Sequence, residues 1–436
     1  MKRDSDAYTD KAGATAAPSY LHRIADGLLA DALQKSGAVQ IVGPKWCGKT
    51  TTAVQAAAEV VYLQDPDQRE SYRRIAREQP SLLLRGQKPL LLDEWQDIPV
   101  LWDAVRFAVD KENTPGGYIL TGSAVPREGE EILHTGTGRF SRIVMRPMSL
   151  YESGESDGSV SLSEMIEGAE PDGKSLLSLE EIAFALIRGG WPASVTRGGR
   201  HAAGLSRDYV DSLIETDVSR VDGIEKNPRR ARLLMRSLAR NESTQAAMTT
   251  LQSDMAADDG KLSVNTIAVY LHALRCLYVL DEQEAWMPAV RSKTSIRTSP
   301  VRRYCDPSLA AALLGLTPEK LLTDFHTFGL LFESLCIRDL RVYAEAIGGT
   351  ITHYRDARGL ECDAIIEMAD GSWGAVEIKL TKDAEDKAAA NLQRIADKVR
   401  SQHGGRASFL LIVTAGGYAY RRKDGVNVVP VGCLRP

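Results

Sequence analysis

Short apolar runs alternate with helix-spaced patterns through the first third of the chain. Tyr20 to Gln34 carries the spacing of an amphipathic helix and precedes the apolar run Ala38 to Val42. A glycine-bearing loop follows, and a second helical pattern starts near Lys49. The run Val60 to Leu63 ends at Gln64-Asp65-Pro66, and a helix over Gln68 to Gln79 leads to Pro89 and the run Leu90-Leu91-Leu92. Helical spacing returns from Trp102 to Asp110, and Gly117-Tyr118-Ile119-Leu120 reads as a further buried strand. Strands alternating with helices predict an α/β fold with a parallel sheet covered on both faces.

From Glu152 to Ser178 the composition shifts to Ser, Glu, Asp and Gly, so residues 151–178 read as a linker. Helical patterns dominate from Leu179 to Leu280. From Phe328 onward the order is helix, several strands, helix, strand, a second small α/β unit. The organisation expected is a disordered lead-in over 1–18, an α/β unit over 19–150, the linker, a helical region over 179–324 and the second α/β unit over 325–436. The chain shows no repeat of fixed period.

At 436 residues the chain exceeds one compact domain, and roughly 150 residues per domain gives about three. Hydrophobic residues at 43% and charged residues at 26% are those of an ordinary globular protein. A net charge of -4 means that any basic surface is local. The six cysteines lie far apart without a CxxC pair, which argues against a zinc ribbon and against a disulfide framework. Met1 to Ser19 has no apolar run to serve as a signal peptide, and no stretch reaches the roughly 20 apolar residues that cross a bilayer. The expected location is the cytoplasm, with no membrane partner.

Gly43-Pro44-Lys45-Trp46-Cys47-Gly48-Lys49-Thr50 satisfies G-x-x-x-x-G-K-[ST] between a strand and a helix, where the chemistry needs it. Such a loop closes backbone N–H groups around phosphate oxygens, and the helix N-terminus adds its dipole. These eight residues and Thr51 are the candidate contacts for ATP. Lys49 would neutralise the β- and γ-phosphates, and Thr50 would bind Mg²⁺. In Leu90-Leu91-Leu92-Asp93-Glu94, Asp93 at the strand end is a magnesium candidate, while Glu94 is placed to polarise the attacking water. Thr121-Gly122-Ser123 follows the Ile119-Leu120 strand, where a hydroxyl either contacts the γ-phosphate or forms a plain turn.

Those motifs, with Gly138-Arg139 and Pro147-Met148-Ser149-Leu150, make residues 19–150 resemble the AAA+ ATPases of a widespread bacterial and archaeal family whose members often carry a nuclease-like C-terminal domain. The resemblance implies a P-loop AAA+ ATPase core working in a homo-oligomer. It makes Ser123 or Thr121 the sensor at the strand end. Arg139 is the first choice for the arginine that completes a neighbouring subunit's site, with Arg142 and Arg146 behind it. Trp46 and Cys47 depart from the residues common in the loop. Gly189-Gly190-Trp191-Pro192 matches a motif of the same family, and its physics is that of a turn with a large apolar anchor.

In the middle region, Arg232 to Ala239, Met248 to Met255 and Val264 to Leu277 read as the three helices of a winged helix, with Ser263 as N-cap of the last. That helix either presents Asn265, Thr266, Tyr270, His272 and Arg275 to a DNA groove or packs between domains. Arg291, Lys293, Arg297, Arg302 and Arg303 read either as a wing touching phosphates or as a solvated hairpin.

At the C-terminus Glu333 lies on an amphipathic helix. Asp363 is on the strand Glu361 to Ile366, and Glu377 and Lys379 share one face of the next strand. Asp363, Glu377 and Glu333 are oxygen ligands suited to Mg²⁺, and Lys379 is placed to stabilise a phosphorane. The region from about 325 to 430 resembles the PD-(D/E)xK nuclease superfamily, a restriction-endonuclease-like α/β domain, which implies metal-dependent action on DNA. Gln393 is either a peripheral DNA contact or a surface residue. Two readings follow: an ATPase acting on DNA through this domain, or an ATP-controlled switch in which the domain is a non-catalytic docking module.

Overall fold

A computed structural model describes residues 20–123, 136–197, 199–221, 224–259, 262–287, 299–403 and 405–436. The first unit holds five strands, β1 (Ala38–Val42), β2 (Glu59–Tyr62), β3 (Leu90–Asp93), β4 (Tyr118–Gly122) and β5 (Phe140–Val144), in the order β2-β3-β4-β1-β5. Every neighbouring pair is parallel. Helix α1 (Ile24–Lys35) precedes β1, and α2 (Lys49–Ala56), α3 (Arg69–Glu78) and α4 (Val100–Glu112) lie in the connections from β1 to β4. Alternation along β3 fills both faces: Leu91 joins one buried cluster, and Leu90 and Leu92 join another. The register places Val42 against Gly122 and Asp93 against Thr121, so three strand ends meet at one edge.

The first helix begins at Ile24 rather than Tyr20. Arg23 is extended, and its N–H donates to Asp26 Oδ2 at 2.8 Å, which caps the helix and leaves Tyr20 to Leu21 outside it.

Residues 151–178 are not a free linker. Helix α5 (Leu150–Ser153), strand β6 (Val160–Ser161), helix α6 (Leu162–Ile166) and strand β7 (Gly173–Ser175) succeed one another there. Val160, Leu162 and Met165 are buried. The polar composition hid this because the partners of β6 and β7 lie more than two hundred residues away.

Six helices follow: α7 (Leu179–Arg188), α8 (Pro192–Arg197), α9 (Gly199–Ser212), which runs into a π-helical segment Leu213–Asp217, α10 (Val218–Arg220), α11 (Pro228–Arg240) and α12 (Met248–Asp259). Then come α13 (Val264–Cys276), the antiparallel pair β8 (Leu280–Gln283) and β9 (Val301–Tyr304), α14 (Pro307–Leu313) and α15 (Pro318–Thr323). Ser263 caps α13 as expected, accepting from Thr266 N at 3.0 Å. The face of α13 offered to a groove is partly spent, however. Tyr270 is buried with its hydroxyl accepting from Asn227 N at 3.0 Å, and Arg275 forks onto Glu282 at 2.7 and 2.8 Å. Arg302 and Arg303 are turned inward too, onto Glu282 and Glu333. Glu282, opposite Arg302 on the neighbouring strand, takes Arg275 and Arg302, and Glu333 takes Arg303. Arg291, Lys293 and Arg297 lie outside the described residues, as does the lead-in 1–18.

The last unit contains α16 (Phe325–Ala346), β10 (Gly349–Arg355), β11 (Glu361–Met368), β12 (Trp373–Lys379), α17 (Glu385–His403), β13 (Phe409–Thr414), β14 (Gly417–Arg421), β15 (Asn427–Pro430) and β16 (Leu434–Arg435). Its sheet has the order β10-β11-β12-β13-β15-β14-β7, so β7 completes it from the far side of the sequence. β16 pairs with β6 in the same way. One buried cluster runs continuously from Leu29 and Ile41 through Leu234 and Leu274 to Leu411 and Leu434, so the units share a core. All six cysteines are free thiols. Among the described residues no helix is long and apolar enough to cross a membrane.

Glu242 is fully buried in this shared core, where its Oε1 accepts from Tyr304 N at 3.0 Å and Ser334 Oγ at 2.7 Å. Burial pushes its carboxyl up to about 7, although Ser334, Arg303 and the Tyr304 amide pull the other way. A raised carboxyl favours the neutral form in the fold. The wild type should therefore be most stable relative to Glu242→Gln below about pH 4.5 and lose that advantage as pH rises through about 7. Thermal melting of both proteins from pH 4.5 to 8 should show a relative change on the order of 3 kcal/mol; a constant difference would contradict it.

Candidate functional site

The loop after β1 turns tightly because two of its glycines take conformations other residues resist. Gly43 has φ +150°, and a Cβ there would fall 2.1 Å from the Met145 carbonyl; Gly48, at φ +101°, caps α2. Lys49 is buried and donates from Nζ to the carbonyls of Gly43 at 3.0 Å and Pro44 at 2.8 Å. Thr50 Oγ1 donates to Asp93 Oδ1 at 2.7 Å, and Thr121 Oγ1 donates to the same oxygen at 2.6 Å. Ser123 Oγ donates instead to Glu94 Oε2 at 3.2 Å. The two sensor candidates thus divide, Thr121 serving Asp93 and Ser123 serving Glu94.

Two cavities adjoin this loop. One, of about 580 Å³, is lined by Lys45, Trp46, Lys49, Thr50, Glu94 and Ser123 among others. The second, of about 490 Å³, is bounded by Tyr20, Leu21, Arg23, Met148 and Thr196. Gly48, Thr51, Pro192, Ala193 and Arg197 belong to both walls. The first suits a charged polyphosphate, and the second a flat apolar ring beside it. The hydroxyl of Thr50 and carboxylate of Asp93 are a donor set that fits magnesium, and in the nucleotide's presence they would hold it.

Tyr20, Leu21 and Arg197, which line the cavities, were not legible as such in the sequence. Two signals were present, the motif Pro147-Met148-Ser149-Leu150 and the Gly189-Gly190-Trp191-Pro192 turn. Trp191 is the apolar anchor expected there. It is buried, stacks on Tyr209 with ring centroids 4.7 Å apart, and donates from Nε1 to Ser308 Oγ at 3.1 Å. Pro192, the next residue, lines both cavities. Trp46 is 56% exposed and meets Tyr209 edge-on at 5.8 Å, while Cys47 is buried, with Sγ 3.5 Å from the Met145 carbonyl.

The arginines are distributed by strand direction. β5 runs parallel to β1 with Phe140 opposite Ala38, so Arg139 lies at the sheet edge opposite the loop that follows Val42. It pairs there with Asp110 at 2.8 Å and does not join its own chain's cavity. Arg142 donates to the Tyr278 hydroxyl at 2.7 Å. Arg146, behind Arg139 in the choice, is buried between Asp281 at 2.8 Å and Glu345 at 2.7 Å, and Asp281 is shared with Arg341. Arg23, which the sequence did not single out, is buried under the loop. It donates to the carbonyls of Cys47 at 2.7 Å and Arg146 at 2.8 Å and pairs with Glu152 at 2.9 Å.

The C-terminal residues do converge. Lys379 Nζ lies 2.6 Å from Glu377 Oε2 and 3.5 Å from Asp363 Oδ2, and Asp363 Oδ2 accepts from Ile378 N at 2.7 Å. Glu377 Oε1 accepts from Asn391 Nδ2 at 2.6 Å. Glu333 is held by Arg303, which also donates to Gln283, and Gln283 donates to the Asp363 carbonyl at 3.0 Å. Burial, reinforced by the charge of Asp363, pushes Glu333 up to about 8 and Glu377 up to about 7. Burial alone would lower Lys379, but Asp363 and Glu377 outweigh it and hold the ammonium above the usual lysine range.

The expected metal set is not met. Among the described residues no group of three or more acids, histidines or cysteines is arranged to hold a metal ion. Arg303 and Lys379 are the cations against Glu333, Asp363 and Glu377. Gln393 Nε2 donates to the Asp424 carbonyl at 2.8 Å.

Residues 35–154 match an AAA domain family, residues 179–320 a domain of unknown function (DUF8612), and residues 328–434 another domain of unknown function (DUF4143). The chain is 23% identical over 364 residues to uncharacterised proteins of Mycobacterium tuberculosis and Mycobacterium bovis, covering 82% of this chain and 74% of each relative. A Walker-type ATPase of Pyrococcus abyssi superposes with a TM-score of 0.42 at 13% identity, over 68% of this chain and 96% of that one. The AAA-domain match covers the loop Gly43 to Thr50, Glu94 and Ser123, while Tyr20, Pro192, Ala193 and Arg197, which also line the two cavities, lie outside it.

The Arg23 side chain is 4% exposed and that of Glu152 is 2% exposed, so truncation of one leaves the other's charge buried. Arg23→Ala should lower stability by roughly 3–5 kcal/mol and weaken nucleotide binding, because the Cys47 carbonyl loses its anchor. Calorimetric melting and nucleotide titration check this, and an unchanged melting temperature would contradict it.

Proposed function

We propose that this protein binds ATP with magnesium in the joined cavities, hydrolyses it, and uses the cycle to control its C-terminal domain. The supporting observation is that Lys49, the Thr50–Asp93 pair, Glu94 and Ser123 meet at one edge of the sheet. The base occupies the apolar cavity between Tyr20 and Pro192, and the phosphates lie on the loop amides with Lys49 beside them. Magnesium, when bound at Thr50 and Asp93, supplies positive charge to the leaving phosphate oxygens. Glu94 takes a proton from water as its oxygen bonds to the γ-phosphorus. The bond to the β–γ bridging oxygen breaks, and its electron pair stays on ADP. Ser123 steadies the acid, and Arg197, reaching in from α8, reads the phosphate state.

Control of the far domain has a physical route. Arg23 grips the loop at Cys47 and the backbone at Arg146, and the Arg146 side chain reaches Asp281 on β8 and Glu345 on α16. A shift of the loop is felt directly by elements that border Asp363 and Glu333.

A second reading, cleavage of DNA at the C-terminal domain, is favoured by the convergence of Asp363, Glu377 and Lys379. It requires that Arg303 give up Glu333 to a divalent ion. It would make the domain a nuclease of the PD-(D/E)xK kind.

Lys49→Ala should lose ATP binding or turnover, and Glu94→Gln should bind ATP yet hydrolyse it roughly 100-fold more slowly, within the range of a lost general base. Full turnover by either variant in a phosphate-release assay contradicts the site. Mixing Lys49→Ala with Arg139→Ala chains should restore some turnover if Arg139 completes the site of a neighbouring copy; no rescue would confine each chain to its own residues.

Incubation of linear, branched and single-stranded DNA with Mg²⁺ or Mn²⁺ separates the two readings. Control through docking predicts no cleavage that depends on Asp363. Cutting by the wild type that Asp363→Ala abolishes would establish the nuclease instead.

A further inference from the structure

The Glu94 carboxylate has one oxygen engaged and one open. Oε2 accepts from the Ser123 hydroxyl and from the side-chain amide of Gln96, two residues along. Among the described residues nothing donates to Oε1. Glu94 itself has φ 55°, a left-handed conformation that costs a non-glycine residue on the order of 1 kcal/mol. It starts the short turn Trp95–Asp97, closed by Asp97 N donating to the Glu94 carbonyl at 3.1 Å, and this turn folds Gln96 back beside the acid.

The amide has one usable orientation. Its nitrogen must face the carboxylate, because its oxygen there would repel the charge. Its Oε1 then lies buried over Gly122 with no hydrogen-bond partner among the described residues. A methyl group on Gly122 would sit 2.7 Å from that oxygen and 3.3 Å from Trp95 Nε1, so the end of β4 leaves room for this side chain and little else. An unsatisfied buried amide oxygen and a left-handed glutamate, two costs side by side, are the mark of a local arrangement retained for chemistry.

We propose that Gln96 is the positioning residue of Glu94. Together with Ser123 it pins Oε2, which leaves Oε1 as the oxygen aimed at the attacking water. Without the pin the carboxylate rotates about its last bond, and the base leaves the line of attack. This rests on the reading of Glu94 as the base, and the experiment separates the two.

Full-length wild type, Gln96→Met, Glu94→Gln and the double variant are compared for steady-state turnover, affinity for a fluorescent non-hydrolysable ATP analogue, and melting temperature. Gln96→Met should lower kcat roughly 10- to 100-fold, the scale of a misplaced reacting group, with analogue affinity and melting unchanged. In the Glu94→Gln background it should cost nothing more, since there is no base left to hold. Wild-type turnover by Gln96→Met overturns the proposal, as does an equal further loss in the double variant, which marks a structural role. Should Gln96→Met melt early, Gln96→Glu keeps the size and sets a like charge against Glu94; a stable chain with full turnover overturns the proposal equally. If Glu94→Gln alone turns over at the wild-type rate, the base assignment falls first.

Discussion

The parallel register of β1, β3 and β4 is the constraint on which the nucleotide site depends. A shift of one residue in any of the three would reverse which of its side chains face each core; in β1 or β3 it would carry Asp93 away from Thr50, and in β4 it would carry Thr121 away from Asp93. The register is held by burial on both faces: Leu90, Leu91 and Leu92 have no exposure, and neither do Tyr118, Ile119 and Leu120. Polar groups are tolerated only where the strands end. There Asp93, Thr121 and Thr50 satisfy one another, and Glu94 is turned aside into the cavity by its left-handed backbone.

The same edge is joined to the rest of the chain by buried charge rather than by a flexible tether. Arg23 with Glu152 holds the loop from below. Asp306 accepts from Gly190 N at 2.9 Å and from Arg338 at 2.7 Å, and Asp339, beside that arginine, accepts from Leu150 N at 2.9 Å. Burial pushes Asp339 up to about 6 against the pull of Arg338, an example of desolvation competing with a close partner. Such networks add little net stability over apolar packing, but they demand one arrangement. The units of this chain meet through such matched ions and a continuous apolar core.

The C-terminal cluster is best understood by its charge balance. Three carboxylates from α16, β11 and β12 meet Lys379 from their own unit and Arg303 from the hairpin of the middle unit. Arg303 and Lys379 together leave one of the three negative charges uncompensated, and burial pushes Glu333 and Glu377 upward to lessen it. The arginine is also what ties the middle unit to this domain, so the cluster's chemistry and the interface are the same set of contacts.

Local pattern alone determined the nucleotide loop, the acidic strand end and the alternation of strands with helices. Each depends on neighbours within a few residues: glycines for the turn, apolar alternation for the strand, a hydroxyl and a lysine at the helix start. The convergence of Asp363, Glu377 and Lys379 was legible for the same reason, since a hairpin and period-two alternation place them. Tertiary structure decided the rest. Residues 151–178 became β6 and β7 only because β16 and β14 lay waiting at the end of the chain. Arg146 and Arg303 became buried interface ions rather than ligand contacts, and Tyr20, Pro192 and Arg197 became cavity walls. In each case the deciding partner lies far along the chain, and composition carries no trace of which distant carboxylate a guanidinium will meet.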